Sequence, residues 1–387
     1  MPALLLILPW VALLLFFVVA VRPPRALSTV ASPRHTPLVS VIVPARNEAM
    51  NIETCLESLA ASAYPRMEIV VVDDRSDDDT GARARGVAGR TGVDVRVIDG
   101  APLPPGWLGK PWACRQGAGA ARGDVLLFTD ADTRHGPDLL GRAVAALEED
   151  AADLVTVLGR QITESFWERV VQPQMFVMLF LRFFDLERAA RSGRWRDVVA
   201  NGQFMLFRRS SYEALGGHEA VRAEVAEDLA LAQHTVKRGM RLAPRTDEEQ
   251  LATRMYRSLG GLVEGWSKNA FVGGRQSLPP LLRPFLGPVA VLVPVIWWIV
   301  PPVALALVAS GAVAPGWERG VAVWSGGAVS CSLVLWLVAN RRFRVPLRYA
   351  PLYPLGALVA TYVFLRSWTR GRKVEWKGRV YTVDLDA

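Results

Sequence analysis

Short runs of β-branched and apolar residues alternate with helix-patterned stretches through the middle of the chain. Residues 38–43 (Leu-Val-Ser-Val-Ile-Val) run apolar up to Pro44 and predict a buried strand. Ile52, Leu56 and Leu59 then recur at helical spacing, with Asn47 as the candidate cap of that segment. Further strands are predicted over 68–72, 93–98, 124–129 and 153–158. Helical patterns follow Asp77 and Pro137, a proline being well placed in a first helical turn. This alternation predicts an α/β domain, a mostly parallel sheet covered by helices, which we place over 37–279.

The ends of the chain have a different pattern. Residues 1–21 carry no charged side chain and are long enough to cross a bilayer. A cleavable signal would put its basic residues before the apolar run, whereas Arg22, Arg25 and Arg34 follow it in a linker over 22–36. The expectation is an uncleaved anchor whose C-terminal flank is cytoplasmic. Three more charge-free stretches, 284–317, 320–340 and 349–365, form a C-terminal membrane region over 280–365. Pro288, Pro294, Pro301 and Pro302 argue against an unbroken helix in the first of these. Arg341, Arg342, Arg344 and Arg348 separate the last two, and a basic tail occupies 366–387. Four alternating spans would leave that tail outside, against the positive-inside rule, so one C-terminal segment is expected to dip in and return. Two or three spanning or re-entrant segments remain there, in a multi-pass inner-membrane protein with a cytoplasmic central domain.

At 387 residues the chain exceeds one typical domain, and its formal charge of +8 lies largely in these flanks, where it suits an anionic leaflet. No basic helix is interleaved with base-stacking aromatics, so nucleic acid is not an expected partner. Cys55, Cys114 and Cys331 are too few and too scattered for a disulfide framework or a zinc site. The segment 166–190 leaves two readings open. Its stretch 174–184 is apolar all round, as in a buried core helix. It is also flanked by Arg169, Arg182, Arg188 and Arg191, as in an interfacial helix that would bring a lipid acceptor to the site.

Candidate chemistry gathers at strand ends. Asp130-Ala131-Asp132 closes the strand 124–129, at the sheet edge where open α/β folds bind ligands. Two such carboxylates suit a hard cation, Mg2+ or Mn2+, that shares its shell with substrate phosphates. Asp73-Asp74 closes the strand 68–72 further upstream. Either pair alone has the makings of an ordinary turn; together they suggest a nucleotide-diphosphate site. Glu227-Asp228 begins an apolar helix, where the pair either complements the helix dipole or supplies a base for an acceptor hydroxyl. Residues 117–123 lack the spacing and preceding strand of a dinucleotide fingerprint and fit a close-packed helix better. Asp77-Asp78-Asp79 fits a solvated helix start.

The segments 41–48 (Val-Ile-Val-Pro-Ala-Arg-Asn-Glu) and 70–76 (Val-Val-Val-Asp-Asp-Arg-Ser), then Asp130-Ala131-Asp132 and Glu227-Asp228, closely resemble the family 2 inverting glycosyltransferases with the GT-A fold. The resemblance covers about residues 38–274. It implies that Pro44, Ala45 and Glu48 line the nucleotide base and ribose, that Asp73 contacts the base or ribose, and that Lys110 stands on the donor side. It also implies that Asp130 and Asp132 bind the metal and that Asp228 is the catalytic base, with Glu227 beside it. Within the family the membrane arrangement looks most like the ceramide-glucosyltransferase and hopanoid- or carotenoid-associated branch. Residues 201–209 resemble its acceptor-side strand, which places Gly202 and Gln203 there. Arg254-Met255-Tyr256-Arg257 resembles the first four positions of a (Q/R)xxRW motif, implying that Arg254 and Arg257 contact the diphosphate. The fifth position departs from it as Ser258, and Trp266 lies further along. The ending at 376–381 also resembles that branch. The expected activity is transfer of a sugar from a nucleotide-diphosphate donor, UDP-linked, to a lipid hydroxyl at the cytoplasmic face. Alternatives are a polyprenyl-phosphate glycosyltransferase, a processive polysaccharide synthase, a nucleotidyltransferase, or a membrane scaffold with a degenerate GT-A domain.

Overall fold

The computed structural model describes residues 2–30, 32–370, 373–376 and 379–382. Contacts divide the chain into two units. One comprises Pro23–Ile162, Leu186–Met255 and Arg372–Ala387, and the other Met1–Arg22, Thr163–Asp185 and Tyr256–Gly371. The sheet lies in the first. The segment 163–185 and everything from Tyr256 to Gly371 sort with the apolar helices. Arg372 and Lys377 of the basic tail lie outside the described residues.

The strands in chain order are β1 (Val39–Ala45), β2 (Met67–Asp73), β3 (Asp94–Asp99), β4 (Val125–Phe128), β5 (Thr133–His135) and β6 (Leu154–Leu158). They continue with β7 (Arg160–Gln161), β8 (Met205–Arg208), β9 (Leu242–Thr246), β10 (Leu251–Thr253), β11 (Lys373–Trp376) and β12 (Arg379–Thr382). Seven of them form one sheet in the order β3-β2-β1-β4-β8-β6-β9. Every pairing is parallel except those of β8, which runs antiparallel to both β4 and β6. Because β8 is reversed, its beginning shares an edge with the ends of β1, β2 and β4, with Met205 paired to Phe128. A second sheet, β5-β10-β7, is attached just beyond β4.

The core strands are apolar on both faces, as a sheet covered on both sides requires: Val41, Ile42, Val43, Val70, Val71, Leu126 and Leu127 are all fully buried. Gly117, in the helix Gly109–Ala120, lies so close to β1 that a Cβ there would sit 2.5 Å from Ile42 Cγ2. Close packing, not phosphate binding, accounts for that run of small residues. Asn47 does not cap the helix Ile52–Ala60, whose N-cap is Asn51. It sits at φ 53° and its Oδ1 accepts from the Asp77 amide at 2.8 Å, joining the turn after β1 to the turn after β2.

In the helical unit the N-terminal run divides into Pro2–Leu5 and Leu8–Val19, the latter of 12 residues. Two helices, Pro280–Ala309 and Glu318–Arg342, are long and apolar enough to cross a membrane by length and composition. The prolines do not break the first of these, contrary to the expectation from sequence. A 3-10 turn at Pro280–Phe285 and a π turn at Val295–Ile299 absorb the missing amides. Pro301 leaves the Trp297 carbonyl without its usual helical donor, and the Trp10 indole donates to that carbonyl at 3.0 Å. The helix Phe166–Arg182 is capped by Ser165 and Glu168 in a reciprocal box, and it buries Val170, Val171, Met175 and Val177 within this unit.

Gly117→Ala should destabilise the protein by about 1–3 kcal/mol through overpacking. Gly86→Ala, at an exposed helical site with nothing within 4 Å of the added Cβ, should stabilise it by ~0.5–1 kcal/mol. Thermal denaturation of detergent-solubilised protein should show shifts of opposite sign, and a neutral Gly117→Ala would mean the contact with Ile42 is loose.

Candidate active site

Strand geometry brings the candidate residues to one edge. Ala45 pairs with Asp73 across β1 and β2, so Pro44, Ala45 and Asp73 lie side by side where these strands end. Asp130 and Asp132 follow β4, and Gly202 and Gln203 lead into β8 beside it. Glu227 and Asp228 are the first two residues of the helix Glu227–Lys237. Arg254 directly follows β10, whose last residue, Thr253, pairs with Thr133, the residue after Asp132. Arg257 lies in the other unit, in the loop before the helix Leu259–Gln276.

One ammonium joins the cluster. Lys110 Nζ, near the start of Gly109–Ala120, lies 2.7 Å from Asp130 Oδ1 and 2.8 Å from Glu227 Oε1. Burial alone would lower the Lys110 ammonium, but Asp130, Glu227 and Asp228 hold it well above the usual lysine range. Asp228 keeps some solvent contact, yet burial pushes its carboxyl up, reinforced by the negative charge of Glu227. Lys110 and two backbone donors, the amides of Leu229 at 2.7 Å and Gly202 at 3.0 Å, pull it back, leaving it at about 6. Gly202 is required for that approach, since a Cβ there would lie 2.9 Å from Asp228 Oδ2 and 3.2 Å from Lys110 Nζ.

Beneath the Asp130–Asp132 turn is a buried polar network whose role the sequence did not reveal. Thr133 Oγ1 donates to the Asp130 carbonyl at 2.7 Å, and Thr129 Oγ1 donates to the Gln203 carbonyl at 2.7 Å. His135 Nε2 lies 3.0 Å from Thr129 Oγ1 and 2.9 Å from Thr133 Oγ1, and burial lowers this imidazole to about 3, which keeps it neutral. The turn that presents both aspartates is thereby fixed to the loop before β8. The visible signal is a spacing, Thr129, Thr133 and His135 continuing an apolar strand with polar groups on one side.

Gln203 is buried, and its Oε1 accepts from Gln161 Nε2 at 3.2 Å and Asn201 Nδ2 at 3.4 Å. Glu48 Oε2 accepts from Asn51 Nδ2 at 2.8 Å, while the Glu48 amide donates to Thr80 Oγ1 at 2.7 Å. The Asp73 carboxylate accepts from the Ser76 amide at 3.1 Å. Ser258 N-caps the helix Leu259–Gln276, its Oγ accepting from the Gly261 amide at 3.1 Å. Trp266 is used inside the helical unit, where its indole donates to Gln172 Oε1 at 3.0 Å.

Among the described residues no group of three or more His, Cys, Asp or Glu side chains converges as a self-sufficient metal site. Two aspartates at a strand end supply hard oxygen donors but leave most of a shell to come from elsewhere, as with cations held jointly by protein and diphosphate.

Residues 40–216 match the sequence model of Glycosyl transferase family 2. A 4,4'-diaponeurosporenoate glycosyltransferase from Staphylococcus aureus (strain MRSA252) is 27% identical over 361 residues, covering 90% of this chain and 89% of the relative. The protein of the same name from strain USA300 is 26% identical over 370 residues, with 90% and 89% covered. Among solved structures, a mannosyltransferase from Pyrobaculum calidifontis in complex with GDP-Man and Mn2+ is similar at a TM-score of 0.57 and 22% identity, covering 92% of this chain and 97% of that one. The shared fold is GT-A.

Lys110→Met should lower thermal stability by leaving Glu227, nearly buried, without its counter-ion. Adding Glu227→Gln should restore part of the loss, with a coupling of ~0.5–3 kcal/mol in the double-mutant cycle. Strictly additive losses would show that the two side chains do not interact.

Proposed function

The chain is a family 2 glycosyltransferase, and from that premise we propose that it moves one sugar from a nucleotide-diphosphate donor, a UDP-sugar, to a hydroxyl on an apolar lipid at the cytoplasmic face of a membrane. The observation that carries the reading is the cluster of Asp130, Lys110, Glu227 and Asp228 at the edge where β1, β2 and β4 end. Donor binding falls to Pro44, Ala45, Glu48 and Asp73 around the nucleoside, with Arg254, Arg257 and Lys110 on the diphosphate. Asp130 and Asp132 would hold Mg2+ or Mn2+, which when bound neutralises charge on the departing diphosphate. Asp228 takes the acceptor's proton, and its partners explain how it is held for that task. The Gly202 and Leu229 amides fix its orientation, and a carboxyl at about 6 is a stronger base than an exposed aspartate while still ionised at neutral pH.

The helices Pro280–Ala309 and Glu318–Arg342, with exposed Leu281, Val289, Leu292, Val303 and Val334, support a membrane location. The relatives' name, diaponeurosporenoate glycosyltransferase, supports an acceptor with a long apolar body. It also motivates a second reading, an acceptor carboxylate instead of a hydroxyl. A carboxylate is already ionised near neutral pH and needs no base.

Asp132→Ala and Asp130→Ala should each abolish transfer, and EDTA should do the same to the unaltered enzyme. Release of nucleoside diphosphate at full rate in EDTA would remove the cation from the reaction, and release of pyrophosphate would indicate a nucleotidyltransferase.

Asp228→Asn should keep donor affinity, measured by calorimetry, and lose about 10²- to 10⁴-fold in transfer. The base works only when unprotonated, so kcat should fall as pH drops through about 6 and the variant's residual rate should lack that step. If Asp228→Asn retains nearly full rate and the step is absent, the acceptor is a carboxylate. Mass spectrometry of polar lipids with and without the gene identifies the product in either case.

A further inference from the structure

The hairpin β11–β12 returns the end of the chain to the nucleoside end of the site, in the same unit as the sheet. Arg379, which opens β12 and pairs with Trp376 of β11, donates from Nη1 to Asp74 Oδ2 at 2.6 Å and from Nη2 to the Asp74 carbonyl at 3.3 Å. Asp74 is fully buried, and its other oxygen, Oδ1, makes no hydrogen bond among the described residues. A buried carboxylate needs a counter-charge, and this one receives it from a residue 305 positions away. Burial pushes the Asp74 carboxyl up, and Arg379 and Arg46 draw it back.

Asp74 is also where the two nucleoside-side turns meet. Its amide donates to the Ala45 carbonyl at 2.7 Å, and its carbonyl accepts from Arg46 Nη1 at 2.7 Å. Arg46 also donates to the Arg75 carbonyl and to Asp77 Oδ2 at 3.1 Å. Ala45 ends β1 and Asp73 ends β2, so whatever fixes Asp74 fixes both neighbours.

We propose that the C-terminal hairpin is a strap for the nucleoside half of the donor, with Arg379 as a positioning residue. Through Asp74 it holds the turns after β1 and β2 in the shape that accepts a base and ribose. The inference rests on the nucleotide-sugar reading above and gives a role to a residue of the 376–381 ending, far in sequence from the residues assigned to the donor and the metal. Arg379 touches neither the reacting atoms nor the acceptor. Its loss therefore acts on donor binding and leaves the chemical step alone.

The test uses full-length protein with Mn2+ and two probes, UDP and GDP, in calorimetry, together with donor and acceptor kinetics. Arg379→Ala should weaken the bound nucleotide and raise donor KM by about tenfold, the scale of one charge-assisted hydrogen bond. The value of kcat should stay within about twofold and acceptor KM should not change. Arg379→Lys should recover part of the affinity, and Asp74→Asn should reproduce the donor defect. These two variants also supply the readout if Arg379→Ala does not fold. Unchanged nucleotide affinity in variants that do fold, or a loss of kcat and folded fraction with donor KM constant, would overturn the strap. If the unaltered protein binds neither nucleotide, the donor reading itself fails, and the strap with it.

Discussion

Three carboxylates and one ammonium share the end of the sheet, and the rest of the sheet-bearing unit is arranged so that they can. Asp130, Glu227 and Asp228 repel one another in a partly desolvated place, and Lys110 is the cation that makes their proximity tolerable. Such an arrangement needs rigid supports, because a slack one would relax by turning its charges out to water. The supports are a strand end for Asp130, a helix start for Glu227 and Asp228, and a second helix start for Lys110. Gly202 supplies the close backbone approach that lets an amide replace a side chain as a donor to Asp228. The site holds opposed charges in tension, with Lys110 kept between Asp130 and Glu227 by both.

The reversal of β8 matters for the same reason. In an all-parallel sheet the strand beside β4 would bring its C-terminal end to this edge. Here the edge receives the loop before β8, and with it Gly202 and Gln203. The Thr129–Thr133–His135 network then joins that loop to the aspartate turn through neutral hydrogen bonds, adding no charge to a crowded place.

Much of this was legible in the sequence. The strands ending at Asp73 and before Asp130, and the helix start at Glu227, follow from apolar periodicity and acidic punctuation. What stayed hidden depends on tertiary contacts. Nothing local marks Lys110 as the shared counter-ion, since its partner Glu227 is distant in sequence, and the Thr129, Thr133, His135 spacing does not by itself show that burial keeps the imidazole neutral. Asn47 looked like a cap because caps are common, yet the turn after β2 uses its side chain first. The prolines of 280–309 looked like breaks because the propensity argument assumes a uniform α-helix, whereas a π turn and a 3-10 turn accommodate them. Ser258 departs from the family motif and serves as a helix cap, a local role that the motif alone would not suggest.

The hydrogen bond from Trp10 to Trp297 has a consequence for biogenesis. It closes a separation of 287 residues, with the whole sheet encoded between its ends. At a synthesis rate of ~5–20 residues per second, the first helix waits roughly 15–60 s before its partner carbonyl exists. During that interval its indole N–H must be satisfied by water or some other acceptor, and the seven-stranded sheet has time to form first. Assembly of the helical unit is therefore a late event, since it waits for chain made after every strand of the seven-stranded sheet.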